Sequence, residues 1–331
     1  MKARALGQRH VPPGRRRPIP LRRLRAVPDR KRLLGFVALA LTVLMWGFSG
    51  VGIKLVSTTG IVTACYRLWF AVAPLWLTML APRLRRRLDA DWMRAAIVGG
   101  VLFSLHQILF FTSLKLTSVA NVTIIGALQP VLVLLVAGPM FGEHTTRGAA
   151  AWAMVAFAGT VTVVFGAAHT KGWSLQGDLL AGLNLFAFTA YFLASKRFRE
   201  RVGAWEYVVG MTTVAAIVLL VVTIATRQPH GSPAAWEWLV LSGIAIFPGT
   251  LGHVLSNWAH AHVSAFVSSM ILLAVPVVAA LGAFLVLGEE VTPTQMAGGG
   301  VVLIAIAIIV RGARRPAADA LVESAAGGEA P

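Results

Sequence analysis

Apolar residues fall in long blocks along this chain, separated by short charged or turn-forming segments. Ten such runs occur, at 33–56, 60–81, 93–114, 117–141, 148–167, 178–195, 205–226, 237–259, 263–287 and 294–311. Each is long enough to cross a bilayer core, which takes about 20 mainly apolar residues, with or without tilt. The separators carry clear stop signals, such as Arg83-Leu84-Arg85-Arg86-Arg87, Gly142-Glu143-His144, Lys196-Arg197-Phe198-Arg199 and Gln228-Pro229-His230-Gly231-Ser232-Pro233. The pattern predicts an all-α integral membrane protein of ten transmembrane helices. Ahead of the first run, residues 1–32 are rich in Arg and Pro and lack apolar periodicity. They read as a basic, disordered cytoplasmic tail able to touch anionic lipid. Residues 312–331, rich in Ala, Gly and Glu, read as a flexible tail. The run 33–56 exceeds a signal-peptide core, lacks a convincing small-residue cleavage site and precedes many more spans, so it is expected to be a retained first helix.

Composition sharpens this picture. Of 331 residues, 57% are hydrophobic and 13% charged, with a mean hydropathy of +0.74. A soluble domain carries about 25% charged residues, so most of this surface faces something other than water. The net charge of +17 would suit nucleic acid, but its distribution argues for membrane topology and against a nucleic-acid partner. Twelve of the thirty Lys and Arg residues lie between Lys2 and Arg32. With a cytoplasmic N-terminus and ten alternating helices, 25 basic residues fall on the inner side and three (Lys115, Lys171 and Arg227) on the outer. That bias predicts both termini inside, in the cell (inner) membrane. A single cysteine, Cys65 in an apolar run, excludes an internal disulfide and argues against a Cys-ligated metal.

The chain also repeats itself. Thr117-Ser118-Val119-Ala120, Gln129-Pro130-Val131, Phe141-Gly142-Glu143 and Thr146 recur as Val263-Ser264-Ala265-Phe266, Val275-Pro276-Val277, Leu287-Gly288-Glu289 and Thr292, at a constant offset of 146. Each proline removes a backbone hydrogen bond and can kink its helix, which makes Pro130, Pro276 and, in the eighth span, Pro248 candidate hinges. Two units of five spans, expected at 33–168 and 176–311, must enter the membrane from opposite sides because five is odd. Glu143 then lies on the cytoplasmic side and Glu289 on the outer side. Inverted repeats of this kind suit alternating access around a site near the midplane.

These features resemble the EamA-type branch of the drug/metabolite transporter superfamily over about residues 33–311. The carriers of the resemblance are Trp46-Gly47, Ser49 and Lys54 in the first span, Arg67 in the second, and the two Pro-to-Gly-Glu segments. The resemblance implies export of amino acids and other metabolites through a central cavity lined by the first, third, fourth, sixth, eighth and ninth spans. The seventh span has no counterpart of Arg67, so the halves are chemically unequal.

Candidate site residues are polar groups inside the apolar runs. Lys54 and Arg67 are the basic residues within spans; facing a cavity they would favour a carboxylate, and facing outward they would snorkel to headgroups. No Asp or Glu lies mid-span, which argues against an electrostatically selected pump of cationic drugs. His253, Ser256, Asn257 and His260 share one face of the eighth span, just past Pro248-Gly249, with Gln107 at the position equivalent to His253. Asn121, Asn184, Tyr191 and Trp46 complete the substrate-binding set. For all of these, interhelical hydrogen bonding or plain packing is the competing role. Phe188 and Lys196 match Trp46 and Lys54 at an offset of 142. His260 and His262 point different ways on a helix and are expected to be solvated loop histidines, not a metal site. The small residues Gly298-Gly299-Gly300 suit close helix packing.

The reading is a secondary transporter exporting small metabolites such as amino acids by alternating access. Its partners are a small-molecule substrate and the lipid bilayer, and a homodimer is left open. The alternative, a membrane-embedded enzyme acting on lipid or peptide substrates, would need a metal motif, a nucleophile elbow or mid-membrane aspartates, and the sequence has none. No nucleotide-binding motif, cofactor or metal is expected.

Overall fold

A computed structural model describes residues 29–80, 89–117, 146–167, 174–287 and 293–312, together with 122, 125, 126, 128–130, 132, 133, 136 and 140. Among these there is no strand. The elements are α1 (Asp29–Leu55), α2 (Gly60–Thr78), α3 (Ala90–Leu116), α4 (Arg147–Ala167), α5 (Leu175–Phe198), α6 (Ala204–Ala225), α7 (Ala235–Ile244), a π-helical segment (Ala245–Gly252), α8 (His253–His260), α9 (Ala265–Leu272), α10 (Val275–Leu287) and α11 (Pro293–Gly312). Side chains that can accept a hydrogen bond start several of them. Thr59, Asp89, Ser174 and Ser264 accept from the N–H three residues on, relieving donors that a helix start leaves unpaired.

Six helices among the described residues are long and apolar enough to cross a membrane: Arg30–Leu55, Gly60–Thr78, Ala90–Leu116, Leu175–Phe198, Ala204–Ala225 and Ala235–His260. Large apolar side chains such as Leu77, Leu183, Ile224 and Leu239 are exposed on their outer faces, as a lipid solvent allows. The inner faces form two cores. One joins the second half of α1 to α2, α3, α6 and α7 around Leu68, Phe103, Tyr207 and Met211. The other joins the first half of α1 to α4, the end of α5, α8, α9 and α11 around Leu39, Phe192, Phe266 and Val302. Small residues allow the close approaches. Gly99 lies against Tyr207 and Gly210 against Ala96, while Gly159 sits under the Gly298 carbonyl.

Two expected spans are not regular helices. The run 237–259 passes through eight residues of π-helix centred on Pro248-Gly249. The run 263–287 is broken between α9 and α10, because Pro276 has no N–H for the Leu272 carbonyl and the turn before it tightens. There the Ala274 N–H bonds Ile271 O at 3.1 Å and the Val278 N–H bonds Ala274 O at 3.1 Å. The same turn precedes Pro130: the Leu128 N–H bonds Ile125 O at 3.2 Å and the Leu132 N–H bonds Leu128 O at 3.3 Å. Ile125, Leu128 and Leu132 correspond to Ile271, Ala274 and Val278 at an offset of 146. Most of the expected span 117–141 otherwise lies outside the described residues, as do Asn121, Glu143 and Glu289.

Pairing of helix ends is informative. α2 and α6 run antiparallel, with Trp205 at the start of α6 donating to Thr78 Oγ1 at the end of α2, at 2.6 Å. At one end of the bundle, Ser57 donates through its N–H and hydroxyl to Glu237 at 3.2 and 2.8 Å, and Lys115 Nζ caps the Val56 carbonyl at 2.5 Å. At the other end, Arg201 lies 3.6 Å from Asp91, and Trp92 donates to Glu206 O at 2.8 Å. Asp91-Trp92 and Glu237-Trp238 are themselves 146 residues apart.

Candidate functional site

Pro248 shapes the site from its backbone outward. Lacking an N–H, it cannot bond the carbonyl four residues back, and that carbonyl, Ile244's, accepts from Arg67 Nε at 3.2 Å. The Pro248 carbonyl accepts from Trp46 Nε1 at 3.1 Å, and the Gly252 carbonyl from Thr42 at 3.2 Å. Glycine is what lets these side chains lie on the backbone: a Cβ at Gly249 would sit 2.8 Å from Ile244 O and 3.0 Å from Arg67 Nε, and one at Gly252 2.7 Å from Trp46 Nε1. The π segment thus turns its carbonyls toward α1 and α2, as unwound backbone can where it is buried in protein.

Arg67 is 4% exposed yet remains a cation, since arginine does not deprotonate in proteins. Its second hydrogen bond goes from Nη1 to Gln107 Oε1, and its guanidinium lies 5.5 Å from the Phe111 ring centroid. Among the described residues no carboxylate pairs with it. Because Arg67 only donates, Gln107 must offer its oxygen there, which leaves the Gln107 NH2 as a donor.

These groups border a cavity of about 170 Å³ where α1, α2, α3, α5, α8, α9 and α10 meet, together with Val122, Gly126 and Gln129. Its apolar wall includes Trp46, Phe110, Phe111 and Phe188, with Trp46 and Phe188 edge to face at 6.0 Å. Its polar wall comprises Arg67, His106, Gln107, Gln129, Asn184 and His253, with Ser49 and Ser269. His106 Nδ1 lies 2.7 Å from Asn184 Oδ1. Gln129 lines the cavity, and its Nε2 is a buried donor without a partner among the described residues. Among the described lining residues none is acidic.

Of the residues singled out from sequence, Trp46, Arg67, Gln107, Asn184 and His253 meet at this cavity, and Pro276 lines it too. Tyr191 and Asn257 lie behind His253: the Tyr191 hydroxyl is 3.2 Å from His253 Nδ1, and Asn257 Nδ2 donates to the Tyr191 oxygen at 3.2 Å. Pro130 is buried and helical, and Pro248 sits in the π segment. Lys54 is exposed. The expectation of solvated loop histidines fails for His260, which ends α8 at 4% exposure with Nδ1 2.8 Å from Ser195 Oγ. His262 folds onto Trp258, ring centroids 4.3 Å apart. Sequence reasoning missed His106, Gln129 and Ser195. His106 could have been found as a mid-span histidine beside Gln107, and Gln129 as the residue before a repeated proline.

A bundle with apolar outer faces, several membrane-long helices and a polar-lined internal cavity defines a multi-pass membrane protein built to hold a small solute. The chain belongs to the EamA-like transporter family, whose pattern it matches twice, at residues 33–165 and 175–311. A protein of Streptantibioticus cattleyicolor named "Probable terminal-alkyne amino-acid exporter" is 27% identical over 297 residues, spanning 85% of this chain and 95% of that one. An aromatic amino acid exporter of Ancylobacter novellus is 29% identical over 164 residues, 49% of this chain and 55% of that one. A crystal structure with 20% sequence identity superposes with a TM-score of 0.71, covering 87% of this chain and 99% of the other, and shares its fold.

Proposed function

We propose that this protein is a secondary transporter of the cell membrane that exports small carboxylate-bearing metabolites, amino acids among them, by alternating access. The observation that carries the reading is the buried Arg67, without a carboxylate partner among the described residues, on the wall of a cavity whose described lining holds no acidic residue. A buried cation is tolerated where a wet cavity or an incoming anion compensates it. Arg67, Gln107 and Gln129 present donors, which suits an acceptor-only carboxylate, while Trp46, Phe110, Phe111 and Phe188 suit an apolar side chain. The volume is close to that of an engineered protein cavity of about 150 Å³ that admits benzene. That scale fits a compact metabolite better than a drug-sized molecule.

In this reading the chain folds as ten spans in two inverted units, 33–168 and 176–311, with tails 1–32 and 312–331 and both termini in the cytoplasm. Several observations support it: the antiparallel run of α2 and α6, the matching turns ahead of Pro130 and Pro276, and the Asp91-Trp92 and Glu237-Trp238 pairs at opposite ends of the bundle. The Ser57–Glu237 tie closes the outer end, and Arg201–Asp91 joins its counterpart at the inner end. The outer tie is doubly bonded to a buried Glu237 carboxylate, whereas the inner pair is exposed and correspondingly weak. Opening toward the cytoplasm is then the easier motion, as loading an exporter requires. Pro130, Pro276 and Pro248 are the hinges, and Trp46, Arg67, Gln107, Asn121, Asn184, Tyr191, His253 and Asn257 form or support the binding site. The relatives named as amino-acid exporters favour the same substrate class.

Purified protein in proteoliposomes, assayed with labelled amino acids with and without a pH gradient, tests this directly. Saturable movement is expected, reduced about tenfold or more by Arg67→Ala, as loss of hydrogen bonds from a charged group implies. No movement of any carboxylate solute, or movement indifferent to Arg67→Ala, contradicts it.

A further inference from the structure

We infer that His253 is a specificity-determining hydrogen-bond donor to the substrate, held in a single tautomer by a buried chain through Tyr191, Asn257, Ser195 and His260. The inference rests on the transport reading above for what it binds, and on hydrogen-bond accounting for how it is set.

The direction of the links follows from one fixed point and from the need to pair every buried proton. Asn257 approaches the His253 carbonyl at 2.7 Å, and a carbonyl can only accept, so the amide nitrogen lies on that side and Oδ1 faces Ser195. Ser195 gives its one proton to that oxygen at 2.6 Å. Its Oγ also lies 2.8 Å from His260 Nδ1, and with the proton already used it must accept there. His260 therefore carries its proton on Nδ1. In the other direction the second amide hydrogen of Asn257 reaches the Tyr191 oxygen at 3.2 Å. For its own proton the buried Tyr191 hydroxyl has no other acceptor among the described residues than His253 Nδ1, 3.2 Å away, so it donates there. With Nδ1 accepting, a neutral His253 bears its proton on Nε2. Among the described residues nothing bonds Nε2, and His253 lines the cavity. The ring cannot turn away, because Trp46 and Phe103 flank it with centroids 4.9 and 4.7 Å distant.

All the links point the same way and polarise one another toward His253. Asn257 sits in the middle, fully buried, and an amide relays hydrogen bonds but not protons without becoming an imidic acid. The chain therefore orients and does not conduct. Tyr191, Asn257 and Ser195 are positioning residues, and His253 joins Arg67 and Gln107 in a wall of donors.

Two measurements on the full-length protein test this. In nanodiscs, ring-nitrogen NMR of protein labelled with ¹⁵N-histidine, with the His253 signals identified through His253→Gln, is expected to report the Nε2–H tautomer. Tyr191→Phe is expected to release it into a mixture. An Nδ1–H or doubly protonated ring at neutral pH in the intact protein overturns the inference, whether or not any given solute is carried. In proteoliposomes with labelled L-phenylalanine, His253→Gln places an amide nitrogen where Nε2 lay and His253→Asn where Nδ1 lay. The Asn variant is expected to lose about tenfold more uptake than the Gln variant, one hydrogen bond's worth. Tyr191→Phe is expected to raise KM with little change in kcat, the sign of weakened binding. Equal losses in the Gln and Asn variants overturn the donor role.

Discussion

Arg67 and the backbone around Pro248 are tied together: the π segment that holds the proline begins just after Ile244, and Arg67 Nε donates to the Ile244 carbonyl. Gly249 makes the contact sterically affordable, which gives a prediction with an unusual sign. In an ordinary helix Gly→Ala stabilises by roughly 0.8–1.0 kcal/mol. At Gly249 the added methyl would lie 2.8 Å from Ile244 O and 3.0 Å from Arg67 Nε, so something must shift. Gly249→Ala is expected to destabilise by about 1–3 kcal/mol, as overpacking does, and to lower uptake by displacing Arg67. Thermal unfolding in detergent beside a transport assay measures both, and a stabilised, fully active variant contradicts the account. At this scale much was readable in advance. Arg67, Gln107, Asn184 and His253 stand out as polar residues in apolar runs, and such residues seldom face lipid. What sequence could not supply was depth. Tyr191 and Asn257 share the right helix faces but sit one layer behind His253, a distinction set by helix rotation and by the bulk of Trp46 and Phe103.

Helices here are interrupted where their backbone must do something else. α9 and α10 part at a turn that precedes Pro276, and Ile125, Leu128 and Leu132 make the corresponding bonds around Pro130. If these are hinges, giving one of them an N–H matters. Pro276→Ala offers the Leu272 carbonyl a helical partner, and residues 265–287 are expected to straighten. The predicted result is unchanged or raised thermal stability with turnover slowed about tenfold, since hinge changes act on rate. Unaltered turnover contradicts the hinge. The sequence located both prolines and their common spacing but presented 263–287 as one continuous span. Hydropathy sums over a break of two residues, Leu273 and Ala274, because both are apolar. The π segment was equally hidden. Pro248-Gly249 signalled a weak point, yet eight residues of altered winding depend on the Arg67 and Trp46 donors that α2 and α1 bring to it.

Taken whole, the molecule places a small donor-walled cavity between two apolar cores, at the seam where the two family-matched segments meet. Its membrane character was plain from composition and run length, and its family from the motifs around Trp46, Arg67 and the paired prolines. The cavity's walls were not, since they assemble from many elements spread along the chain. Every functional step proposed here requires the two segments to lie antiparallel in the membrane. Ala90 and Trp236 occupy equivalent positions, 146 residues apart, and both are exposed. Single cysteines placed there, Ala90→Cys and Trp236→Cys in a Cys65→Ala background, can be probed in intact cells with a membrane-impermeant maleimide. Labelling of Trp236→Cys from outside, with Ala90→Cys reached only after the membrane is opened, is the predicted result. Labelling of both from the same side contradicts it.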